Sequence, residues 1–195
     1  RPEFALVLKD KEESLSWESK WNIAYDITVA LKFLHKKEVV HRDLKTDNVL
    51  LYKKDDVVHA KVADFGLSKM QTGVEQSTTM TVGTCRYMAP EMVLGVVGYG
   101  VGKFPMKPVD IYALGMTFVA LVTGEEPYPE TQNVMSIPSK VGSGELYQEL
   151  DERRCPFLFF KLTNHCRAIK QEDRPTAGEV VNELSGMKRQ VVEFK

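Results

Sequence analysis

The chain has 195 residues, 43% of them apolar and 27% charged, which is the make-up of an ordinary globular domain long enough for one real core. Lys and Arg number 26 against 27 Asp and Glu, a net charge of −1, and this excludes an electrostatic case for nucleic acid or an anionic membrane as the main partner. Three cysteines, Cys85, Cys155 and Cys166, lack metal-ligand spacing and argue for packing residues in a reducing compartment, the cytoplasm or nucleus.

Phe4 to Leu8 is a short apolar run that reads as a strand, and Lys9 to Glu13 as a charged loop. Ser16 is a good N-cap, and Ile23, Ile27, Ala30, Leu31 and Leu34 recur at helical spacing, predicting an amphipathic helix over 17–35. Val49 to Tyr52 and Val57 to Val62 flank Lys53 to Asp56 and predict a small hairpin with Asn48 and Asp64 at one end. Residues 67–88 lack periodicity and read as one long loop, and Gly95 to Phe104 as a Gly-rich loop. Val109 to Thr123 is apolar on nearly all sides, which predicts a buried central helix ended by Gly124. This longest apolar stretch, interrupted by Asp110 and Thr117, is too short to span a bilayer. Cys155 to Ile169 predicts a further helix. Thr176-Ala177-Gly178-Glu179 is a capping box opening a last amphipathic helix through Val180, Val181, Leu184 and Met187.

The most informative stretch is His41-Arg42-Asp43-Leu44-Lys45-Thr46-Asp47-Asn48, followed by Asp64-Phe65-Gly66 and Ala89-Pro90-Glu91. Transfer of a γ-phosphoryl group needs a carboxylate to take the nucleophile's proton, oxygen ligands for Mg²⁺ and a cation near the migrating charge. Asp43, Asn48, Asp64 and Lys45 supply those parts. Three such motifs in this order resemble the catalytic half of a protein kinase, and the likeness runs from about Ser14 to Lys188. The pattern is most similar to the tyrosine-kinase-like group of Ser/Thr kinases.

The resemblance implies a mainly α fold, a kinase-like C-terminal lobe with a small β-hairpin at the active-site end. It makes the whole chain, 1–195, a partial kinase domain with catalytic loop 41–48, activation segment 64–91 and central buried helix 109–123. It assigns Asp43 as the base, Asn48 and Asp64 to Mg²⁺, and Lys45 to the γ-phosphate of ATP. Thr84 becomes the bridge between Asp43 and Lys45. Asp110 would hold the catalytic-loop backbone, although after Pro108 it also reads as a simple N-cap. Glu91 and Arg174 would pair. His41 and Phe65 would join an apolar column. The partners implied are a protein substrate and an activating kinase acting on Ser77, Thr78, Thr79 or Thr81, whose phosphate Arg42 and Lys69 would receive.

The chain also departs from the pattern. No Gly-rich phosphate cover, strand lysine or helix glutamate of an N-terminal lobe is identifiable. Gly98-Tyr99-Gly100-Val101-Gly102 does not lie between strands and is not read as the ATP loop. Arg167 stands where many relatives have Trp, which is expected to loosen packing. The start at Arg1 rather than Met reads as a fragment, one expected to be weak or inactive by itself. Its rival is a non-catalytic, pseudokinase-like binding module. His35, His59 and His165 suggest no partners.

Overall fold

Ser16 opens the first long helix, α1 (Trp17–Lys36), and its Oγ accepts the Ser19 backbone N–H at 3.2 Å. The computed structural model describes residues 15–55, 57–64, 69–70, 82–92 and 106–194. α1 buries Trp21, Ile23, Ala24, Ile27, Thr28, Leu31 and His35 on one face. β1 (Val39–Val40) follows, then the 3₁₀ turn Thr46–Asn48, then the hairpin β2 (Val49–Lys54) and β3 (Val57–Val62). The strands run antiparallel from Val49 opposite Val62 to Lys54 opposite Val57. The predicted turn of Lys53 to Asp56 is therefore shorter: Lys53 and Lys54 are exposed strand residues, and Asp55 at φ 51° takes the left-handed conformation a two-residue hairpin turn demands.

Residues 67–88 are not all irregular, contrary to expectation. Lys69–Met70 forms β4, paired antiparallel with β1, and Val82–Arg86 forms a 3₁₀ turn. Periodicity could not reveal either, because two residues are too few to show a repeat. The predicted strand at 4–8, the charged loop at 9–13, Phe65, Gly66, the loop hydroxyls Ser77, Thr78, Thr79 and Thr81, and the glycines at 95–102 lie outside the described residues.

The centre of the fold is α2 (Lys107–Thr123), in which every residue from Val109 to Val122 is buried. It begins two residues before the predicted start because Pro108 sits comfortably in its first turn. Gly124 ends it at φ 75°, donating its N–H to the Ala120 carbonyl at 2.9 Å. After the short α3 (Ile137–Gly142) come α4 (Phe157–Cys166) and α5 (Ala177–Val192). α4 is shorter than the predicted 155–169, since Pro156 sits at its N-cap and the backbone leaves the helix at Arg167. α5 carries the predicted capping box, with Thr176 and Glu179 bonded reciprocally. α1 packs chiefly on α5 and β3, and α2 on α4. The fold is mainly helical with a small hairpin. No helix among the described residues is long and apolar enough to cross a membrane.

Arg167 does not loosen this packing. It is 6% exposed, donates to the Gln148 carbonyl, to Tyr147 Oη at 2.8 Å and to Asn164 Oδ1 at 2.6 Å, and stacks over the Tyr147 ring. A planar five-donor fork fills the space by bonding as well as by volume. Gly115 of α2 lies against the same corner: a Cβ there would stand 3.0 Å from Cys166 Cβ and 3.1 Å from the Arg167 backbone nitrogen. Gly115→Ala gains about 1 kcal/mol of helix propensity but overpacks at a cost of about 1–3 kcal/mol. A net loss of stability is expected by urea denaturation; a raised midpoint would show that the corner yields.

Candidate active site

The backbone that leads into Asp43 is held by one buried carboxylate. Asp110, 1% exposed on α2, accepts the His41 N–H on Oδ2 at 2.8 Å and the Arg42 N–H on Oδ1 at 2.9 Å. His35 Nε2 lies 2.8 Å from the same Oδ2 and, facing a carboxylate, donates to it. The N-cap of α2 is Met106, so the simple capping role read for Asp110 is not what it does. Arg42 at φ 70° and Asp64 at φ 56° are both left-handed, costing about 1–2 kcal/mol each, and such strain persists where surrounding bonds over-determine it.

His41 then ties two segments together. Its Nδ1 accepts the Asp43 N–H at 3.3 Å and its Nε2 faces the Ala63 carbonyl at 3.1 Å. An N–H on one side and a carbonyl on the other require the proton on Nε2. The hairpin adds a second tie, because the Ala63 N–H donates to the Asn48 carbonyl at 2.8 Å. Asp64, one residue on, is thereby placed with Asn48 at one end of the hairpin, as its spacing predicts.

Asp43, 7% exposed, gathers the other site residues. Thr84 Oγ1 donates to its Oδ1 at 2.8 Å, and Asn48 Nδ2 to its Oδ2 at 3.0 Å. Lys45 Nζ lies 3.3 Å from the same Oδ2 and donates to Thr84 Oγ1, also at 3.3 Å. Asn48 Nδ2 also donates to the Asp43 carbonyl at 2.6 Å. Both amide hydrogens of Asn48 are thus spent on Asp43, and what its side chain has left is the oxygen. That oxygen and the exposed Asp64 carboxylate are hard donors of the kind Mg²⁺ takes alongside water and phosphate. No group of three or more His, Cys, Asp or Glu among the described residues offers a rival metal site.

Farther out, Arg174 reaches Glu91 with both terminal nitrogens, at 2.6 and 2.8 Å, and donates also to the Ala168, Ile169 and Pro108 carbonyls. This pair pins the Ala89-Pro90-Glu91 end of the segment to the helical body.

Residues 3–184 match the family model described as protein kinase domain. The chain belongs to the protein kinase family. It is 37% identical over 146 residues to human mitogen-activated protein kinase kinase kinase 5, covering 74% of this chain and 10% of that protein. It is 36% identical over 178 residues to a probable LIM domain-containing serine/threonine-protein kinase of Dictyostelium discoideum, covering 91% and 25%. Against mouse mitogen-activated protein kinase kinase kinase 15 it is 34% identical over 183 residues, covering 93% and 12%. The kinase-family chain therefore spans a quarter or less of the length of these relatives.

The histidines outside the motif divide by what the packing brings to them. His35, which suggests no partner in the sequence, lies on the buried face in line with Ile27 and Leu31 and meets Asp110 there. His59, also without a partner in the sequence, places Nδ1 2.8 Å from Asp26 Oδ2, fastening the hairpin to α1. His165 is exposed.

The cysteines are buried thiols. Burial raises the Cys85 and Cys166 thiols, and burial followed by the nearby Asp151 pushes Cys155 up to about 11. The unfolded thiol, near 9.0, ionises first. The Cys155 contribution to stability is therefore complete below pH 9 and is lost as pH rises towards 11. Maleimide at pH 8 is expected to label the native chain about a hundredfold more slowly than the urea-unfolded chain, because the reactive thiolate is both scarce and covered. Equal rates by mass spectrometry would refute this.

Proposed function

We propose that this chain carries the catalytic centre of a protein serine/threonine kinase, transferring the γ-phosphoryl group of Mg-ATP to a protein hydroxyl. The observation that carries the reading is the set of four side chains converging on and around Asp43: Lys45, Asn48, Thr84 and the carboxylate itself. A binding module has no need of a buried aspartate surrounded by a lysine, an amide and a hydroxyl.

Each part has a task in that chemistry. The Asp43 carboxylate, steadied by Thr84 on one oxygen and Asn48 on the other, orients the substrate hydroxyl and takes its proton. Lys45, 3.3 Å from Asp43 Oδ2, supplies a charge to counter that building up on the transferred group. Asn48 and Asp64 are the residues that would hold Mg²⁺, which when bound neutralises the phosphate oxygens. The serine/threonine preference rests on Lys45 and on the names of the relatives.

The test is phosphate transfer from labelled Mg-ATP to a mixed Ser, Thr and Tyr protein substrate, with the divalent ion removed as control. Phosphoserine or phosphothreonine formed only with the metal is expected. Phosphotyrosine would overturn the specificity. No transfer by the full-length protein that contains this chain would return the non-catalytic binding module to first place.

A further inference from the structure

Behind the cluster on Asp43 lies a second polar constellation, built from three segments. Thr46 Oγ1 donates to Glu126 Oε1 at 2.7 Å, and Tyr87 Oη donates to Glu126 Oε2 at 2.6 Å. The two hydroxyl oxygens lie 2.9 Å apart. Thr46 is fully buried and Tyr87 2% exposed, while Glu126 sits in the loop that follows Gly124. Burial first, and then the Glu126 carboxylate, hold the Tyr87 phenol well above its ordinary range, so it remains a donor.

These residues adjoin the site on both sides. Thr46 follows Lys45 directly, and the Tyr87 N–H donates to the Thr84 carbonyl at 3.0 Å, closing the turn that presents Thr84. Arg86 adds its Nη1 to the Pro127 and Tyr128 carbonyls, both at 2.6 Å. The loop is itself held: Tyr128 is left-handed at φ 54°, its N–H donates to Gln148 Oε1, and its ring is buried. Nothing in the proposed chemistry needs Glu126 as a reactant, since its two oxygens are occupied by hydroxyls of its own chain.

We infer that the 124–128 loop is a brace and Glu126 a positioning residue: through Thr46 and Tyr87 it sets the distance between catalytic loop and activation segment at which Lys45 and Thr84 meet Asp43. The inference rests on the kinase reading for its purpose, though not for its geometry. An ionised Glu126 receives both hydroxyl protons and leaves the contact between Thr46 and Tyr87 without one. A glutamine supplies an oxygen to one hydroxyl and an N–H to the other, and the freed proton then joins the two hydroxyls. Glu126→Gln therefore preserves the ring, whereas Glu126→Ala opens it.

The experiment is amide hydrogen exchange on the full chain and on its Glu126→Ala, Glu126→Gln and Tyr87→Phe variants, followed by steady-state kinetics with Mg-ATP. Opening the ring is expected to speed exchange at both 43–48 and 83–87 by about tenfold or more while α5 stays as in the unaltered chain. Glu126→Gln restores slow exchange, and Tyr87→Phe releases mainly 83–87. In the kinetics, kcat falls about tenfold in Glu126→Ala with little change in KM for ATP, since the nucleotide is not what Glu126 holds. Faster exchange confined to 124–128, equal loosening of α5, or failure of Gln to rescue would overturn the brace. A full-length protein containing this chain unaltered that transfers no phosphate would refute the kinase reading, while the exchange data still decide the brace.

Discussion

Asp110→Ala is expected to remove about 3–5 kcal/mol of stability, as breaking a buried, hydrogen-bonded charge typically does. The reason is the number of donors it serves. The His41 and Arg42 backbone N–H groups and His35 Nε2 all end on this one carboxylate, in a place water does not reach. Each donor left alone costs about 1–3 kcal/mol, and nothing nearby replaces the acceptor. The left-handed Arg42 loses the bond that holds it there, so the loop carrying Asp43 relaxes as well. Asp110→Asn should fall between: its oxygen in the Oδ2 position still serves His35 and His41, and only the Arg42 N–H is lost. Urea titration should rank the unaltered chain above Asn and Asn above Ala. A shift of under about 0.5 kcal/mol for Ala, the size of a surface substitution, would show that the anchor does not bear on the fold.

Asp43→Asn is expected to lower phosphate transfer by about 10²- to 10⁴-fold, the usual contribution of a positioned general base. An amide keeps the shape of the carboxylate and can still accept from Thr84, so the chain should stay folded. It cannot take a proton, and its NH₂ group would face the Asn48 amide and the Lys45 ammonium, both donors. Loss of rate with an unchanged circular dichroism spectrum separates chemistry from folding. Full activity in the variant would remove Asp43 from the mechanism and leave the site without a base.

Much of the helical framework was legible because its causes are local. The Ser16 cap, the Thr176–Glu179 box and the Gly124 stop each act within about one turn of chain, the apolar stretch from Val109 within one helix, and each was found where expected. The hairpin was legible too, though not its short turn, which depends on Asp55 adopting a left-handed conformation. The strand pair of β1 and β4 was not legible, nor was the firm seat of Arg167, because neither has a local periodic cause.

Amino-acid order by itself determined the kinase-family motifs, the order of the long helices and the hairpin, and which residues have the chemistry for phosphate transfer. Only the tertiary structure decided how they are held. His35 meets Asp110 across 75 positions and Thr46 meets Glu126 across 80. Helical and strand periodicity reaches a few residues along a chain and says nothing about which distant side chains will share a buried acceptor. Such partners are chosen when α1, α2 and the loops pack together, because a polar group taken out of water must find whatever donor or acceptor the packing brings to it.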